Sequence, residues 1–316
     1  MARFLTGRIL RGIFTVFLVT LVVHGGLALL PGDPIRALFG QRRPDPLVLE
    51  AMRDQFDFNR PWIVQYLSYL KDLVTGDWGN SFPGSIRGIQ DVGPPVEGIV
   101  AAAAPVSARL IAPVLAVQLV VGAAIGALAA VYRRRPAGTL IYLISVALLG
   151  IPVIALAYVL QMGFAWELAW VPTRGLDAWP SYVLPVTALS LTTTCLVILF
   201  ARSHLRDVLR QPFIKATVAR GIKTHRVVGL HAMKVSLSAF LSLIVSNLGQ
   251  LITGLIIVET IFGIQGLGSV MFSAIYARDR PLLLALTILT TVFVTLANIL
   301  ADATHLLLDP RTQETL

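Results

Sequence analysis

The chain has 316 residues, 56% of them hydrophobic and only 14% charged, with a mean hydropathy of +0.76. A water-soluble domain carries about 25% charged residues, so this composition excludes a soluble globule for want of polar surface, and a disordered chain for want of charge. The net charge of +9 is therefore read first as membrane topology, because Lys and Arg accumulate on the cytoplasmic side, and only then as a sign of a nucleic-acid partner. Cys195 stands alone, which rules out an intramolecular disulfide.

Three arginines, Arg3, Arg8 and Arg11, precede an apolar run from Gly12 to Leu30. The run is longer than the core of a signal peptide and no small-x-small cleavage site follows it, so an uncleaved first transmembrane helix is expected. A span needs about 20 largely apolar residues. Five further stretches qualify: Leu110–Tyr132, Pro136–Phe164, Ser181–Ala201, Val235–Val258 and Pro281–Ala301, all without a charged residue. Gly150-Ile151-Pro152 should kink the third, and Gly122 and Gly126 give the second a GxxxG step suited to close helix packing.

The connections alternate in charge. Arg133-Arg134-Arg135 joins the second and third spans, and eight basic residues against Asp207 lie between 202 and 234. Residues 32–98 instead hold seven basic and nine acidic residues. Both termini and the 202–234 loop are therefore expected in the cytoplasm. The chain divides into an N-terminal transmembrane helix (1–31), an extracytoplasmic segment (32–98), a five-helix core carrying the 202–234 loop (99–308) and a cytoplasmic tail (309–316).

Within the outer segment, Pro61 opens an amphipathic helix with Ile63, Tyr66, Leu67, Leu70 and Val74 at helical spacing, and Gly76 closes it. It serves either as a helix lying on the membrane and the spans or as a docking surface for a soluble partner. In the cytoplasmic loop, Arg202, Arg206 and Arg210 form a stripe that snorkels to lipid headgroups. Pro212 breaks that helix and starts another, which ends near Arg220 with Gly221 as its stop. Two or three turns are too few to stand alone in water, so the helix must pack on the chain's own spans or on a partner.

The segment Pro212-Phe213-Ile214-Lys215-Ala216-Thr217-Val218-Ala219-Arg220-Gly221 resembles the loop of ABC-importer permeases in which a Glu-Ala-Ala triplet precedes a Gly by four positions. Here the triplet reads Lys215-Ala216-Thr217, and Ala239 stands where a Pro often ends the motif. Further segments add to the likeness: Pro31-Gly32-Asp33-Pro34, Arg60-Pro61, Gln65-Tyr66, Gly76-Asp77-Trp78-Gly79-Asn80-Ser81, Val258 to Gly263, Gly266-Leu267-Gly268, Ala277-Arg278-Asp279 and Asp309-Pro310-Arg311. Together they resemble the first permease subunit of dipeptide/oligopeptide ABC importers.

The resemblance implies an all-α, six-helix permease of the type I importer fold in a prokaryotic inner membrane. It implies a second homologous permease, two ATPases that bind ATP and Mg, and an extracytoplasmic substrate-binding protein. Pro212, Phe213, Lys215, Ala216, Thr217, Arg220 and Gly221 would form the helix seated on an ATPase, and Glu259, Gly263, Gly266 and Gly268 an extracytoplasmic turn or re-entrant hairpin. The solute would be a di- or oligopeptide; a nickel chelate, glutathione or a haem-like ligand is the alternative within the class, and an ATP-independent secondary transporter the alternative outside it. Gly221-Ile222-Lys223-Thr224 is the nearest approach to a phosphate loop, and Ile222 interrupts it. The five His show no i, i+4 pair, so no metal site, no cofactor and no catalytic constellation is expected in this chain.

Overall fold

The computed structural model describes residues 2–29, 36, 45–55, 58–82, 93–176 and 178–308. The motifs at Pro31–Pro34 and Asp309–Arg311 lie outside the described residues. The protein is all-α, and among the described residues the only extended pairing is an isolated antiparallel bridge between Asn80 and Pro95. The helices are α1 (Ala2–Leu29), α2 (Pro46–Gln55), α3 (Trp62–Thr75), α4 (Val96–Val131, with a π-helical stretch at Gln118–Gly122) and α5 (Pro136–Leu149). They continue as α6 (Val153–Glu167), α7 (Pro180–Val208), α8 (Pro212–Ala219), α9 (Val227–Ser246), α10 (Leu248–Ile261), α11 (Leu267–Ala277) and α12 (Arg280–Leu308).

Among the described residues five helices are long and apolar enough to cross a membrane, and the pair α5 and α6, bent by 96°, makes six if it is counted as one broken span. The bend falls at the expected Gly150-Ile151-Pro152. Pro152 adopts φ −60°, ψ 135° as the N-cap of α6, and a proline disfavours helical geometry in the residue before it. Two expected boundaries are corrected. The second span begins at Val96 and not at Leu110, so Arg109 lies exposed within that helix. The fifth expected span, Val235–Val258, is two helices: α9 stops at Ser246 and Asn247, at φ −87°, ψ 0°, separates it from α10. An apolar run has no period that reveals such a break.

The described chain forms two compact units, Met1–Ser107 with Gln265–Thr295, and Ala108–Ile264 with Leu296–Leu316. In the first, Val96, Ile99, Val100 and Ala103 pack with Val270 and Ala274 of α11 and with Leu282, Leu283 and Leu286 of α12. Helix α3 closes on Gly76 in the left-handed region (φ 85°), as expected from the sequence. Its buried face differs from the expected stripe. Ile63 and Leu67 are exposed, while Tyr66 is 1% exposed and binds α1 through the Thr20 hydroxyl at 3.0 Å and the Phe17 carbonyl at 3.1 Å.

In the second unit α7 is the element around which the others pack. A Cβ on Gly126 would lie 2.4 Å from Ala201 Cβ, and one on Gly122 2.8 Å from a Val197 methyl carbon. The small-residue step read from the sequence is thus a backbone-close contact of α4 with α7. Pro136, Pro180 and Pro212 each stand at the first turn of their helices, where a missing N–H costs nothing.

Candidate functional site: a short anchored helix in the 202–234 loop

Helix α7 ends in a turn, with the Arg210 and Gln211 amides donating to Asp207 O at 3.2 Å and Val208 O at 3.0 Å. Gln211 is extended (φ −67°, ψ 149°) and Pro212 opens the eight-residue α8. Ile214, 2% exposed, inserts into a cluster with Leu205, Val208, Val227 and Val228. Thr217 donates to Phe213 O at 2.8 Å. Arg220 caps the helix, its amide reaching Ala216 O, and Gly221 follows at φ +77° with its amide on Val218 O at 2.9 Å. No atom lies within 4 Å of where a Gly221 Cβ would stand, so the glycine serves the backbone conformation and not close packing.

The rest of α8 is open. Pro212, Phe213, Lys215, Ala216, Val218 and Arg220 are exposed. An eight-residue helix is far below the length stable in isolation. Here one buried isoleucine and two terminating turns hold it, while Phe213 and Val218 present apolar surface beside two cations.

The other four predicted site residues are divided between the two units. Glu259 is fully buried in α10, and Gly263 follows that helix at φ +63° with the Arg174 stem 3.3 Å from its would-be Cβ. The Ile264 amide closes the turn on Glu259 O at 2.8 Å, and the Gly175 amide reaches Phe262 O at 3.1 Å. In the first unit Gly266 is the N-cap of α11, its amide donating to Ser269 Oγ at 3.1 Å, and the Leu267 amide donates to Ser107 Oγ at 2.7 Å. Gly268 is buried in α11.

Sequence reading passed over several polar residues. In the second unit Gln118 Nε2 donates to Thr193 Oγ1 at 2.8 Å, next to buried Thr192 and Thr194. Gln118 opens the π-helical stretch of α4. Gln161 opens the π-helical end of α6, its Nε2 reaching Ile261 O at 2.9 Å and Thr173 O at 3.1 Å. Both glutamines stand in otherwise apolar spans, which was the available signal. In the first unit Arg280 binds Gln65 and His24, and His24 Nε2 contacts Trp62 O at 3.2 Å. His24 thus faces the neighbouring helix α3. A cavity of about 300 Å³ adjoins this group, with Tyr69, Asp72 and Asp77 on its wall. Burial pushes the Tyr69 hydroxyl well above its ordinary range, so it stays protonated. Among the described residues no three His, Cys, Asp or Glu side chains are grouped as a metal site needs.

Residues 122–314, which include α8 and both turns after α10, match the family described as binding-protein-dependent transport system inner membrane component. The chain belongs to that family. Residues 1–83 match its N-terminal membrane component. The oligopeptide transport system permease protein OppB of Salmonella typhimurium is 31% identical over 313 residues, covering 98% of this chain and 99% of that protein. OppB of Escherichia coli K12 is 31% identical over the same span. The glutathione transport system permease protein GsiC of Escherichia coli is 29% identical over 310 residues, 98% of each chain. This chain is therefore a multi-pass membrane permease component of an ABC importer.

Proposed function

We propose that the chain is a non-catalytic translocation subunit that imports di- or oligopeptides across a prokaryotic inner membrane, with both termini in the cytoplasm. It works with a second homologous permease, two ATPases that bind ATP and Mg, and an extracytoplasmic binding protein that delivers the solute. The observation that carries this reading is α8: Ile214 ties it to α7 and α9 while Phe213, Lys215, Ala216 and Val218 stay exposed, a surface available to an ATPase. Nucleotide-driven movement of the ATPase then reaches the spans through a rigid lever, since a packed helix moves as a unit between two arrangements. Glutathione, itself a tripeptide, is the second reading, supported by the identity to GsiC.

The test is uptake by cells carrying the complete importer or a deletion of this chain, offered labelled di-, tri- and oligopeptides and glutathione. ATP-dependent uptake of peptides that vanishes with the deletion supports the first reading. Uptake of glutathione alone supports the second. Uptake that persists after the ATPases are removed contradicts both.

A further inference from the structure

The loop after α4 and the cytoplasmic end of α7 converge on a second cavity, of about 380 Å³, wholly within the second unit. Arg133 and Arg134 line it from the loop, Arg202 and Arg206 from α7, and Tyr142 from α5. The i, i+4 spacing of Arg202 and Arg206 sets them on one helical face. The loop arginines come from 68 or more positions away in sequence (134 to 202), so the convergence is tertiary and not a local run. A single carboxylate offsets these four arginines, and only in part. Asp207, the one acid of the 202–234 loop, pairs with Arg206 at 3.2 Å and is itself well exposed. The Arg202 guanidinium lies 4.4 Å from the Tyr142 ring centroid, which orients it without satisfying its donors, and its Nε is buried with no hydrogen-bond partner. Desolvation, and then the guanidinium groups of Arg210, Arg134 and Arg206, pull Arg133 below its ordinary pKa. Such a group of cations holds together best around an anion.

We infer that this cavity binds a phosphoryl group, presented by the headgroup of an anionic phospholipid. Arginine forks match phosphate oxygens bidentately. The second observation selects lipid as the source. Tyr142, Val146 and Leu149 follow one another at i, i+4 and i+7 on one face of α5, with Tyr142 and Val146 exposed, giving acyl chains an apolar strip that runs from the charge, which a free phosphate does not need. Basic pockets between transmembrane helices are a recurrent mode of headgroup recognition.

The test titrates the full-length chain, in uncharged detergent, with phosphatidylglycerol, phosphatidylcholine or inorganic phosphate and counts retained molecules by native mass spectrometry. Phosphatidylglycerol should be retained in preference to phosphatidylcholine. Retention should fall by about fivefold for each arginine removed, and so by about 25-fold in Arg202→Gln/Arg206→Gln. Should that variant fail to fold, Arg134→Gln, an exposed loop change, gives the single fivefold step. Arg135→Gln, outside the cavity, should leave retention unchanged. Equal retention of both lipids, or retention untouched by the cavity variants, overturns the inference. So does binding of inorganic phosphate as tight as that of the lipid. Loss of ATPase co-purification in the cavity variants with lipid retention intact would replace the lipid by a protein partner.

Discussion

Ser81 and Asp279 are 198 positions apart in sequence and 2.5 Å apart in space, the Ser81 hydroxyl donating to Asp279 Oδ2. The same oxygen accepts the Phe82 amide at 2.9 Å, and Oδ1 accepts the Leu282 amide at 3.2 Å. Asp279 is fully buried, so one carboxylate ties the segment after α3 to the first turn of α12. Hydrogen bonds to charged groups contribute about 1.5–3 kcal/mol each. Ser81→Ala should therefore destabilise the purified chain by about that much, read as a lower unfolding temperature in detergent. Asp279→Ala removes an acceptor shared by three donors and should cost distinctly more. If the two variants melt together, the carboxylate is not the organising group.

This contact also marks what the sequence could and could not tell. The segments Gly76–Ser81 and Ala277–Asp279 each stand out in the sequence, yet nothing local says that they meet. Gln65 and Arg280 are a second such pair. Motif spacing reports short-range geometry, as at Pro212, Gly221 and Gly76, where start and stop signals acted within one turn. The break at Asn247 was hidden because both flanking helices are apolar, and Asn247 and Gly249 are the only local marks of it. Gln118, which opens the π-helical stretch, finds its side-chain partner on α7, at Thr193, so no window around residue 118 contains that contact.

The small-residue contact between α4 and α7 predicts an asymmetric swap. Gly126→Val should be strongly destabilising, because its Cβ would meet Ala201 Cβ at 2.4 Å and Ile198 O at 3.0 Å. Overpacking of this kind costs about 1–3 kcal/mol. Gly126→Ala should cost less, and Ala201→Gly added to it should recover part of the loss. Thermal unfolding of the two single variants and the double variant measures the coupling. Strict additivity would mean that the helices do not pack here.

Topology is testable with single cysteines in a Cys195→Ser background, since Cys195 is buried and free. Thr75 is exposed at the end of α3 and Lys223 is exposed after α8. The Lys/Arg asymmetry predicts that they lie on opposite sides of the membrane. An impermeant maleimide should label Thr75→Cys in intact spheroplasts and Lys223→Cys only after lysis. Labelling of both from one side would contradict the six-span arrangement.

The coupling role proposed for α8 makes the sharpest demand. Gly221 sits at φ +77° with open space around it, so a substitution there is felt only through the backbone. Gly221→Val should cost on the order of 1–3 kcal/mol of local strain, loosening the end of α8, whereas Gly221→Asn, which tolerates the left-handed region, should behave nearly as wild type. Ala216→Asp leaves the helix intact but puts a carboxylate on its exposed face. Ile214→Ala removes the anchor; a buried truncation of this size costs about 2–5 kcal/mol, enough to release so short a helix. In reconstituted complexes Gly221→Val, Ala216→Asp and Ile214→Ala should each lower solute-stimulated ATP hydrolysis and transport. The chain should remain in the membrane, and solute affinity of the separate binding protein should not change. Wild-type transport by Gly221→Val and Ala216→Asp, with full assembly, would remove α8 from the coupling path while leaving the family membership untouched.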